Sequence, residues 1–203
     1  MSSPSPPAPR GRPPRSHERR LQILEAFERC LARKGLEATT LDDVAREAGL
    51  QRAMIRHYVG NRGTLVREAT EHLAAQYRSR AARALDVEGD ALDVDALLDF
   101  FFLGDFVFGM PEQDRVVDSL LAAAASDPEA CASLRAMYES FDELVRKHLT
   151  RCVPGAEPDR LAAVSWAIVC LAEQNTIMLG LGVPSRRSQE LRQVGRALVD
   201  SLH

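Results

Sequence analysis

The 203 residues are 45% hydrophobic and 27% charged, enough apolar mass for a real core and too much for a disordered chain. The formal charge of −3 hides an asymmetry: up to Arg62 there are twelve Lys+Arg against seven Asp+Glu, and beyond it fourteen against twenty-two. A basic leading third joined to an acidic body directs only the first part toward a polyanion. The four cysteines, Cys30, Cys131, Cys152 and Cys170, show neither C-x-x-C spacing nor companion histidines at zinc intervals. They are expected as buried free thiols, with a redox switch as the alternative. No apolar leader is seen, and "LAAVSWAIVCLA" (Leu161 to Ala172) is shorter than the roughly 18 residues that cross a bilayer. The expectation is a cytoplasmic chain with no membrane partner.

Residues 1–17, "MSSPSPPAPRGRPPRSH", hold too much proline and too few apolar side chains to pack, and are expected as a disordered basic arm. A first helix follows from Glu18 to Lys34, with Leu21, Ile23, Leu24, Phe27 and Leu31 at helical spacing and Gly35 as its stop. Thr40 is placed to cap a second helix, Leu41 to Ala48, with Asp43 where a capping-box carboxylate reaches back; Gly49 ends it. The stretch "LQRAMIRHYVGN" (Leu50 to Asn61) then makes a third helix. On its wheel Met54, Ile55, Tyr58 and Val59 gather on one side, and Arg52, Ala53, Arg56 and His57 on the other. Two short helices around a glycine turn, the second with a cationic outer face, describe a helix-turn-helix over residues 18–63.

The remainder, 64–203, stays helical. Segments from Thr64 to Leu85, Val94 to Phe106, Pro111 to Ser126, Pro128 to Cys152, Pro158 to Leu179 and Ser185 to Leu202 follow, with Pro111, Pro128, Pro158 and Pro184 at or near helix starts. No stretch alternates as a strand does. The fold class is therefore all-α with about nine helices: a three-helix helix-turn-helix domain, then a larger helical domain.

The run "TTLDDVAREAGLQRAMIRHYVGNRGTLV" (Thr39 to Val66) resembles the signature of TetR-type transcriptional regulators at Thr40, Val44, Ala45, Ala48, Gly49, Leu50, Ala53, Ile55, Tyr58, Val59, Asn61, Arg62 and Leu65. It departs at Arg56, where the family usually has an aromatic, and at Gln51, where serine is common. The resemblance implies a homodimer whose third helices enter successive major grooves of an operator. It also implies a carboxy-terminal domain that dimerises and binds a small-molecule effector, which releases the DNA.

Arginine pairs bidentately with guanine, and Arg52 and Arg56 lie one turn apart on one face; the bland alternative is a solvated arginine pair. Ala53 allows close approach of the backbone, Gln51 opens the helix, and His57 and Tyr58 suit phosphate or ribose. Arg62 and Thr40, at helix starts, are candidate phosphate anchors. "PRGRPP" (Pro9 to Pro14) resembles an AT-hook core, so Arg10 and Arg12 are candidates for a narrow A·T minor groove, with an idle tail as the alternative.

The body carries no phosphate-binding glycine loop, no G-x-S-x-G elbow and no H-E-x-x-H, so neither an enzyme, a metal nor a cofactor is expected. Its large apolar side chains read mostly as core. Glu173, Gln174 and Asn175 nevertheless interrupt an apolar helix, and three successive residues span about 200° of the wheel, so at least one is expected to turn inward or into a dimer interface. Phe102, Phe106, Met137, Phe141, Trp166, Gln174, Asn175 and Met178 are the expected ligand contacts, and an amphipathic organic molecule the expected ligand. The last two helices have stripes too wide for a monomer and are expected to pair with a twofold mate. Two other functions remain open at this level: a thiol-based sensor on the same scaffold, and a helical interaction module that does not bind DNA.

Overall fold

The computed structural model describes residues 15–85, 93–104, 106 and 111–203. Among them are nine helices and no strand: α1 (Arg15–Ala38), α2 (Leu41–Ala48), α3 (Arg52–Val59), α4 (Arg62–Leu85), α5 (Val94–Phe102), α6 (Pro111–Ala123), α7 (Pro128–Cys152), α8 (Pro158–Gly180) and α9 (Arg186–Asp200). Arg15, Ser16 and His17, assigned by sequence to the arm, are the first turn of α1. Near its other end α1 is interrupted by Gly35 (φ 79°, ψ 168°), the glycine expected to stop it.

α1 buries Ile23, Leu24, Phe27 and Leu31, and α2 and α3 pack across it. The capping box at α2 is complete. Asp43 N–H donates to Thr40 Oγ1 at 3.2 Å, and Thr40 N–H donates to Asp43 Oδ2 at 2.9 Å. Gly49, at φ 63°, takes the left-handed conformation that lets Leu50 N–H reach back to the Ala45 carbonyl at 2.9 Å.

α4 runs from the helix-turn-helix into the body, packing on α1 at one end and along α7. α6 lies along α1, and α7 also packs on α8. α5 and α9 meet at Gly195, where a Cβ would come within 3.0 Å of Leu98 Cδ2 and 3.3 Å of the Phe102 ring. Arg192 clasps Asp95 at 2.8 Å and also Asp99, and Arg196 reaches Asp95 at 3.1 Å, tying the two helices along their edge. One cluster of buried side chains runs from Ile23 to Leu202, so the helix-turn-helix and the body share a continuous core.

Two departures from the sequence reading bear on the fold. α5 ends at Phe102, with Leu103 and Gly104 leaving the helix before Phe106. α8 at 23 residues is long and apolar enough by length and composition to cross a membrane, although "LAAVSWAIVCLA" alone is not. In the fold α8 packs against α7 and α9, and Leu161, Val164, Ile168, Val169 and Ala172 are buried there.

Candidate nucleic-acid interface and ligand cleft

α3 is held to the core by Ile55 and Val59, both buried, with Met54 and Tyr58 half-buried beside them. Gln51, Arg52, Ala53, Arg56 and His57 are exposed. The two arginines are not equivalent. Arg52 Nη1 pairs with Asp42 Oδ2 on α2 at 2.7 Å, whereas Arg56 has no hydrogen bond or ion pair among the described residues. The edge of one of the His57 and Tyr58 rings faces the other, centroids 5.0 Å apart, which orients the imidazole.

Thr40 and Arg62 are already engaged. Thr40 is the cap of α2, and the Asp43 carboxylate it faces is held well below the usual range, first by Lys34 and then by Thr40. Arg62 Nη1 pairs with Asp127 Oδ2 at 2.8 Å and its Nη2 donates to the Leu36 carbonyl at 3.1 Å. Asp127 in turn caps α7, accepting from the amides of Glu129 and Ala130 at 3.0 and 3.1 Å. Arg62, a candidate phosphate anchor by sequence, thus also links the helix-turn-helix to the start of α7. Arg10 and Arg12 lie outside the described residues.

In the body, α4, α6, α7 and α8 enclose a cleft of about 640 Å³, with Phe106 on its wall. Of the expected ligand contacts, the structure brings Phe106, Met137 and Phe141 to it. The other five lie elsewhere. Phe102 is fully buried against Gly195. Asn175 is buried, its Oδ1 accepting from Ser188 Oγ at 3.0 Å, and so joins α8 to α9. Gln174 is exposed, Met178 is half-buried off the cleft, and Trp166 is 46% exposed on the outer side of α8. Of the polar triplet two turn inward, Asn175 toward α9 and Glu173 into the cleft, and Tyr77, Asp114, Asp118, Thr176 and Ile177 line the cleft without having been singled out. The triplet signalled an inward polar group but not which one. Asp114, in the first turn of α6, reads in sequence as an ordinary acidic helix start.

Residues 23–69 match the family model of bacterial regulatory proteins, tetR family, a span holding all of α2 and α3. The whole fold agrees: a TetR transcription regulator from Haloarcula marismortui superposes with a TM-score of 0.73 at 13% identity, covering 91% of this chain and 98% of that one. Residues 23–69 thus carry a tetR-family segment, and the chain has the fold of solved TetR regulators.

Among curated relatives, the chain is 28% identical over 107 residues to the "HTH-type transcriptional regulator BetI" of Vibrio parahaemolyticus, 51% of either chain. It is 37% identical over 78 residues to the "Probable HTH-type transcriptional regulator ArpR" of Pseudomonas putida, 38% of this chain and 36% of that one. The chain thus spans about half or less of the length of these curated relatives. A further structural neighbour is a regulator from Saccharomonospora viridis solved in complex with choline, with a TM-score of 0.68 at 16% identity over 91% and 96% of the two chains.

Three of the cysteines, Cys30, Cys152 and Cys170, have thiols pushed up by burial, which disfavours the reactive thiolate. Cys30 is buried and Cys131 and Cys152 half-buried, but Cys170, expected inside, is exposed on α8. No group of three or more metal-ligating side chains is present among the described residues.

Proposed function

We propose that this protein is a cytoplasmic, homodimeric, DNA-binding transcriptional repressor of the TetR family that a small organic ligand releases from its operator. In this reading residues up to 63 form the DNA-binding unit, and residues 64–203 bind the ligand and dimerise. The observation that carries it is α3: a helix pinned by Ile55 and Val59 with Arg52, Ala53, Arg56 and His57 turned to solvent. Arg56 is free to reach a guanine edge, and Arg52 is restrained only by an exposed pair whose loss costs little. Gln51 and Tyr58 flank this face. Thr40 and Arg62 serve it from behind, by fixing α2 and the start of α4.

Dimerisation is assigned to α8 and α9. Trp166 (46% exposed), Leu181 (74%) and Val194 (48%) leave a large apolar area uncovered on these helices and their link. Exposed Ala163 and Cys170 beside Trp166 allow close approach of a second copy.

The cleft supports the ligand half of the proposal, as does the choline bound to the Saccharomonospora viridis neighbour. It has a mechanical path to the DNA face. α6 contributes Asp114, Val117 and Asp118 to the cleft and lies along α1, while α7 contributes Met137 and Phe141 and begins at the Asp127–Arg62 clamp. A ligand that shifts α6 or α7 therefore moves the platform of α3.

The test is selection of a bound duplex from random DNA, followed by mobility shift with the full chain. Sequence-selective binding by a dimer is expected. A chain that retains no duplex above background is instead a helical interaction module.

A further inference from the structure

The chemistry of the cleft goes further than its existence. Its apolar lining includes a trio of rings, Tyr77, Phe106 and Phe141, with centroids 5.6, 5.7 and 6.1 Å apart, beside aliphatic side chains such as Val117 and Ile177. Its charged lining is three carboxylates, Asp114, Asp118 and Glu173, against one guanidinium, Arg115. Two phenols hold two of the acids in place. Tyr77 donates to Asp114 Oδ1 at 2.7 Å, and Tyr138 donates to Glu173 Oε1 at 2.7 Å. The second oxygen of each acid has no hydrogen bond or ion pair among the described residues.

Burial pushes both carboxyls up, and neighbouring carboxylates push them further: Asp118 acts on Asp114, and Asp114 and Asp118 act on Glu173. A neutral occupant leaves that repulsion standing. An anionic occupant adds to it. A cation removes it, and its alkyl or ring substituents lie against ring faces that attract positive charge.

We propose that the cleft takes a compact organic monocation, a quaternary or substituted ammonium, with its charge beside Glu173 and Asp114 and its apolar groups on Tyr77, Phe106 and Phe141. This rests on the reading of the cleft as the effector site. A volume of about 640 Å³ suits a molecule of that size.

The test is calorimetric titration of the full chain, without DNA, with three probes: benzyltrimethylammonium, its neutral isostere neopentylbenzene, and benzenesulfonate. The cation is expected to bind at least about tenfold more tightly than the isostere, and the sulfonate not at all. Glu173→Gln and Asp114→Asn, both isosteric and checked for folding by thermal melting, should each weaken the cation by about fivefold or more and spare the isostere. Equal affinity for cation and isostere, unchanged cation affinity in both variants, or no binding of any probe would each overturn the proposal. Because no DNA is present, a chain that binds the cation but no operator sinks the repressor reading and leaves this one standing. Operator release by neutral or anionic molecules alone does the reverse.

Discussion

Arg56 and Arg52 make the DNA-reading proposal quantitative, because the structure leaves one free and the other paired. If Arg56 reads a base, Arg56→Ala forfeits a bidentate contact of about 1–3 kcal/mol, roughly 5- to 150-fold in affinity for the selected duplex. Arg52 must first leave Asp42, in a pair whose side chains are 50% and 55% exposed. An exposed pair of that kind is worth about 0.2–1 kcal/mol, so it lowers the gain from Arg52 without cancelling it. Asp42→Asn should therefore tighten binding by up to about fivefold, and most of that gain should vanish when Arg52 is already Ala. Fluorescence anisotropy on the selected duplex and on a scrambled one, at fixed salt, measures all four variants. Specificity should fall with affinity for both Arg variants. Equal losses on both duplexes would make these arginines phosphate anchors and refute base reading. Weaker binding by Asp42→Asn would show that Asp42 positions Arg52 for DNA.

Three further outcomes follow from individual contacts. Asp127→Ala removes the carboxylate from Arg62 and the cap from α7, so it should lower stability by about 0.5–2 kcal/mol in urea unfolding. It should also blunt ligand release more than apo DNA binding; unchanged release would exclude the clamp as a coupling element. Trp166→Arg should convert the dimer to monomer in analytical ultracentrifugation while leaving the helical circular dichroism intact, and a persistent dimer would place the interface elsewhere. The His72–Glu28 pair, 2.9 Å apart, joins α4 to α1, and Glu28 raises the His72 pKa above its ordinary value, against an opposing effect of burial. Its stabilisation is fully present below about pH 6.5 and is lost as pH rises through the higher folded value. Urea midpoints of the wild type should thus fall relative to His72→Gln on going from pH 6 to pH 9, and parallel curves would show that the pair contributes nothing.

What the sequence determined by itself was whatever is decided within a turn or two of helix. The Thr40–Asp43 box, the glycine stops at Gly35 and Gly49, the proline starts and the division of α3 into a buried and an exposed face all depend on neighbours at most four residues away. Their signals are therefore written in consecutive letters. The tertiary structure decided which of the competent side chains is already engaged. Arg52 and Arg56 look alike on a wheel, but Asp42, ten residues earlier, holds one of them. Arg62 is a candidate phosphate anchor by its position, and Asp127, sixty-five residues on, already engages its guanidinium. Glu173 turns into the cleft rather than Gln174 or Asn175 because Tyr138 on α7 and Ser188 on α9 lie on different sides of α8. Trp166 faces outward and Phe102 packs against Gly195 for the same kind of reason. Periodicity says that a helix has an inside; only the packing of the other helices says which neighbour waits there.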